Sequence, residues 1–102
     1  MAPRAAAELA IAALERARTL RARALLIDFS GLSLTEQLST LQSYDVGVRL
    51  AQQGAGLGRV AFCMSADCIA ANRFALEVAT NRGLAVAAFT NERAALIWLR
   101  CR

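Results

Sequence analysis

Asn81–Leu99 reads NRGLAVAAFTNERAALIWL, and its punctuation decides the fold. Asn81-Arg82-Gly83 has what ends a helix: a cation near the negative terminus and a glycine free to turn left-handed. Leu84–Phe89 is then an apolar run of strand length, and Thr90–Asn91 opens a new helix. That helix carries Ala95, Leu96, Trp98 and Leu99 onto the layer of the strand. Strand, cap and amphipathic helix in so short a span make half of a βαβα unit, and the upstream chain reads as two more copies of the scheme.

Working back, Ser65 and Asp67 can cap a helix whose apolar residues are Ile69, Phe74, Leu76, Val78 and Ala79. Arg59–Met64 (RVAFCM) is the strand before it. Gly54–Gly58 (GAGLG) precedes that strand and follows a helix. A phosphate cradle needs the reverse order, glycines leading into a helix, so GAGLG reads as a C-cap and connector. The helix it ends starts at Ser39, with Gln42 at capping-box spacing, and Leu41, Tyr44, Val48 and Ala51 make one face. Gly47 inside it costs about 1 kcal/mol against alanine, which points to close approach of a neighbour or to simple tolerance. Gly31–Leu38 is a loop in which Ser33 and Glu36 share the capping spacing. Ala24–Phe29 (ALLIDF) is the first strand, apolar on both faces except at Asp28. Ala5–Arg23 is a helix behind Pro3, with Leu9, Ala13, Ala17 and Leu20 in a stripe that Ile11 and Leu14 widen.

The expected order is αβαβαβα. This is an α/β fold with a three-stranded, mainly parallel sheet and flanking helices. The 102 residues suit one domain, with an N-terminal amphipathic helix over 1–23 and a βαβαβα core over 24–102. No apolar run is long enough to span a bilayer, and Met1–Ala7 lacks the pattern of a secretory signal. The expectation is a cytoplasmic protein with no membrane contact.

All twelve basic residues are arginine, histidine is absent, and the net charge is +4. Arg4, Arg16, Arg18, Arg21 and Arg23 could contact phosphate, but Arg4–Glu8 and Glu15–Arg18 also stand at spacings that pair on a helix. No aromatics interleave with them, which argues against nucleic acid as a partner. Cys63, Cys68 and Cys101 read as reduced thiols. Cys63 is a small core residue on its strand. Two cysteines five apart without histidine make a poor zinc set, so no metal and no cofactor is expected.

From about Leu25 to Leu99 the chain resembles the STAS-like group of bacterial α/β domains, the sulphate-transporter and anti-sigma-factor-antagonist type. The residues carrying the likeness are LLIDFSGLS at the first strand, LSTLQSYDVGVRLA at Leu38–Ala51, GRVAF at Gly58–Phe62 and, above all, NRGLAVAAFTNERAALIWL. The resemblance is to small stand-alone members and implies a non-catalytic protein-interaction module. In the antagonists a serine of an Asp-Ser-Ser-Gly-type motif after the first of these strands is phosphorylated. Here Leu34–Leu38 reads LTEQL, and no phosphoacceptor carries over. Family members usually open with one or two extra strands that this chain lacks. A three-stranded sheet then has open edges, so a homodimer is expected to shield one edge or a thinly covered face. Relatives of the fold include lipid- and nucleotide-binding domains, which leaves a small-ligand domain as the alternative.

The carboxyl ends of parallel strands are where ligands favour such sheets. Asp28, Ser30, Ser33 and Ser65 are the ligand-binding candidates there, although Ser65, with Asp67, Thr90 and Asn91, also suits a helix cap. Without histidine no Ser-His or Cys-His pair can form, so no catalytic residue is assigned. Cys68, near a helix N-terminus, could be reactive or inert. Tyr44 and Trp98 are expected core or interface anchors.

Overall fold

The computed structural model describes residues 2–33 and 37–101. The capping partner expected at Glu36, and the Leu34–Glu36 part of LTEQL, lie outside the described residues. The elements are α1 (Pro3–Thr19), β1 (Ala24–Asp28), α2 (Thr40–Gly54), β2 (Arg59–Cys63), α3 (Ala66–Ala71), α4 (Arg73–Asn81), β3 (Val86–Phe89) and α5 (Glu92–Arg100). The three strands form one parallel sheet in the order β1-β2-β3, with Ala24 opposite Arg59 and Val60 opposite Val86. The α/β architecture read from the sequence is therefore the one observed.

One expected helix is two. α3 ends at Asn72, whose side-chain Nδ2 donates to the Cys68 carbonyl at 2.8 Å beside its own backbone N–H. Its own backbone leaves helical geometry (φ −107°, ψ 8°), and α4 starts at the next residue. The continuous apolar pattern from Ile69 to Ala79 hides this break.

Successive side chains of a strand alternate between faces. Ile27, Val60 and Phe62 point to the side carrying α1, α2 and α4, where they bury with Ile11, Leu14, Leu50 and Ala79. Arg59, Ala61 and Cys63 point to the other side, which α5 crosses. Phe29 and Phe62 pack on the first side with ring centroids 6.2 Å apart, and Phe89 and Trp98 on the second at 5.8 Å.

The buried stripes of the helices differ from the expected ones. In α1 they are Ala6, Ala10, Ile11, Leu14 and Ala17, whereas Leu9 and Leu20 are 50% and 65% exposed. In α2 they are Ser43, Gly47, Leu50 and Gly54, while Leu41 is 79% exposed. Large apolar residues hold part of each stripe, and at Gly47 close helix approach admits only a residue without a side chain. A Cβ on Gly47 would stand 2.5 Å from the Ala75 carbonyl oxygen and 2.6 Å from Val78 Cβ, so α4 lies directly against α2. Close approach is thus the reason for that glycine.

The caps follow the reading closely. Ser39 and Gln42 form a full capping box: Ser39 Oγ accepts from Gln42 N at 3.1 Å, and Gln42 Oε1 accepts from Ser39 N at 2.9 Å. Gly83 takes a left-handed conformation (φ +99°) after α4, which an L side chain would strain.

Candidate functional site

The four polar candidates lie at the carboxyl end of the sheet, and Asp28, Ser30 and Ser65 are tied into local structure. Asp28 closes β1, and its Oδ1 accepts from the Ser30 backbone N–H at 2.9 Å, a turn in which the side chain caps its own backbone. The hydrogen bonds from the Ser30 hydroxyl and amide hold the Asp28 carboxyl below its ordinary range, so it is ionised at neutral pH. Ser65 Oγ accepts from Cys68 N at 3.2 Å as the cap of α3. Ser33 is exposed in the loop after β1. Asp28 and Ser30 are thus brought into contact, whereas Ser65 serves a different element. Asn91 caps α5 by accepting from Ala94 N at 3.0 Å. What Asp28 offers chemically is an exposed anionic hydrogen-bond acceptor.

The thiols divide by position. Cys63 is the register partner of Asp28, is buried, and has its pKa raised by burial, with the charges of Asp28 and Glu92 adding to the effect. It stays a protonated core thiol. Cys68 is buried too, its Sγ–H directed at the Leu32 carbonyl at 3.8 Å. Cys101 is exposed. Among the described residues no group of three or more Cys, Asp or Glu side chains is placed to hold a metal ion.

Beside these polar groups runs an apolar cleft of about 50 Å³, lined by Phe29, Leu50, Phe62, Met64, Cys68 and Asn72 among others. The alternation that puts Phe62 and Met64 on one face of their strand was the available signal for its floor. Its walls come from α1, α2 and α4 together, and no local pattern brings them into register.

Of the two anchors, Trp98 is half-buried within its own chain. Its ring lies against Phe89, the Arg59 guanidinium sits 5.0 Å from its ring centroid, and Arg59 Nη1 donates to its carbonyl at 2.7 Å. Tyr44 is 43% exposed, and Arg82 both stacks over its ring at 5.6 Å and donates Nη2 to its hydroxyl at 2.7 Å. Both aromatics meet an arginine remote in sequence, which spacing alone does not signal.

The arginines near the N-terminus also separate. Glu8 meets not Arg4 but Arg49 of α2, in a two-pronged contact of 2.6 and 3.1 Å that lowers the Glu8 pKa and ties α1 to α2. Arg16 and Arg18 stand in the last turn of α1, where cations offset the helix dipole, and Arg18 Nη1 donates to the Gln52 carbonyl at 3.3 Å. Arg21 and Arg23 join Arg18 along a groove of about 240 Å³ beside Ala55–Leu57.

No helix among the described residues is long and apolar enough to cross a membrane. Comparison of the chain with protein-family models, with curated proteins and with solved structures finds no match.

Proposed function

We propose that this chain is a non-catalytic, STAS-like interaction module of the bacterial cytoplasm that works by binding protein, a second copy of itself included. The observation that carries the reading is the incomplete cover of the sheet. Among the described residues, β1 and β3 are the edge strands of the sheet, and α5 alone serves one whole face. Proteins normally cover or pair such edges. The polar candidates support the same reading, since Asp28, Ser30 and Ser65 are spent on turns and caps. Size-exclusion chromatography with light scattering at micromolar concentration tests it: a mass above that of one chain is expected, and a clean monomer removes it. A turnover lost on changing Asp28 or Ser30 to alanine would refute the non-catalytic part.

A second reading is favoured by the cleft lined by Phe62 and Met64. Its apolar walls and its place at the strand ends suit a short stretch of hydrocarbon, and at about 50 Å³ it would have to widen to take more. Native mass spectrometry after mild purification discriminates, because a co-purifying small molecule supports this reading and none across several hosts supports the first.

A further inference from the structure

The two edges of the sheet are not equivalent. On β1, Arg59 N donates to the Arg23 carbonyl and Phe29 N to that of Cys63. The alternation of a parallel ladder therefore turns the backbone groups of Ala24, Leu26 and Asp28 outward. That edge carries an ionised carboxylate at Asp28, the kind of residue that discourages strand addition, and α1 packs against the strand. On β3, Val60 N donates to the Ala85 carbonyl and Met64 N to that of Phe89. The N–H and C=O groups of Val86 and Ala88 are then the ones that face away from β2. VAAF holds no charge, no proline and no glycine, and each of its residues is only half-buried. It is an unguarded edge.

Alongside it lies a groove of about 390 Å³ between β3 and α4, lined by Ile69, Arg73, Leu76, Glu77, Ala87 and Ala88 among others. Arg73 and Glu77 stand one helical turn apart, and neither forms an ion pair among the described residues, where the pair is Glu8–Arg49. Opposite charges one turn apart on one helix are self-complementary about a twofold axis, since a residue that meets its counterpart is met in return.

We propose that the β3 edge pairs antiparallel with the β3 edge of a second copy about a twofold axis at Ala87, α4 packing beside its mate in the groove. This rests on the self-association reading above and names its surface. In this register Val86 and the partner's Ala88 exchange both backbone bonds, as do Ala88 and the partner's Val86. Ala87 faces itself in the intervening non-hydrogen-bonded pair, where side chains approach most closely and a small one fits. The antiparallel α4 helices bring Arg73 toward the partner's Glu77 on both sides of the axis. The result is one continuous sheet, with Leu76 and Ile69 covered. An edge this short makes a small interface.

The test is sedimentation equilibrium on the full chain and four variants. Arg73→Glu and Glu77→Arg should each weaken association about tenfold or more, because symmetry loses the pair twice and sets like charges together. The double reversal Arg73→Glu/Glu77→Arg should restore it. Ala88→Pro removes an outward donor while sparing the β2 ladder, and should yield a folded monomer by far-ultraviolet circular dichroism. A dimer indifferent to all four variants overturns the β3 edge and leaves self-association standing. A parent chain that is monomeric at its highest soluble concentration overturns both.

Discussion

The sheet is closed on its two faces by different means. One side carries α1, α2 and α4 and buries Leu14, Val60 and Phe62 almost completely. Small residues at Ser43, Gly47 and Gly54 let the helices lie tight against what they cover. Among the described residues the other side has α5 alone, with Ala95 at its buried centre and Trp98 held between Phe89 and Arg59. On the first side stability comes from packing density; on the second it comes from one aromatic cluster, and apolar surface is left half-covered beside it. The lesson is that a small α/β domain can concentrate its core on one side of its sheet and cover the other thinly.

This contrast can be broken most strongly at Phe62. Truncating it to alanine should cost about 3–5 kcal/mol in urea-denaturation experiments, enough to threaten folding outright. Gly47→Val attacks the same side by overpacking. The added Cβ meets the Ala75 carbonyl, which cannot swing away as a side-chain end could, so a loss of about 3 kcal/mol is expected. On the α5 side, Trp98→Ala should cost roughly 2 kcal/mol, less than a fully buried aromatic because the ring is half-exposed. Hydrogen exchange should then show α5 amides released well before those of β2.

The smallest effect belongs to the surface tie between α1 and α2. Arg49 stabilises the charged form of Glu8, so the folded chain binds that proton less tightly than the unfolded chain, whose value is near 4.5. The contribution is complete above that pH and is lost as the pH falls through the lower, folded value. Glu8→Gln should flatten this part of the curve of denaturation midpoint against pH, leaving the midpoint at pH 7 slightly lower.

The strands and most caps were legible because their signals are local. Apolar runs bounded by glycine placed β1 and β2 within one residue and β3 within two, and the Ser39–Gln42 spacing found its box. The facing of the helices was not legible. Leu9, Leu20 and Leu41 look like core residues, yet they are exposed while Ala10, Gly47 and Gly54 are buried, Gly47 because α4 lies directly against it. Asn72 was hidden because a side chain capturing a carbonyl leaves no mark in the apolar pattern. At the candidate site, Asp28 and Ser30 were identifiable as neighbours, but their turn is a backbone geometry that composition does not express. The β3 edge could have been suspected from VAAF alone. Its groove needed α4 laid alongside, a tertiary fact.

The most direct measurement is amide hydrogen exchange at Val86 and Ala88, followed by nuclear magnetic resonance at two chain concentrations a hundredfold apart. Their N–H groups point away from β2, so in a lone chain they meet solvent. Both should exchange markedly more slowly in the concentrated sample, while the Ala87 amide, bonded within the sheet, changes little. Equal rates for Val86 and Ala88 at the two concentrations would contradict pairing at the β3 edge.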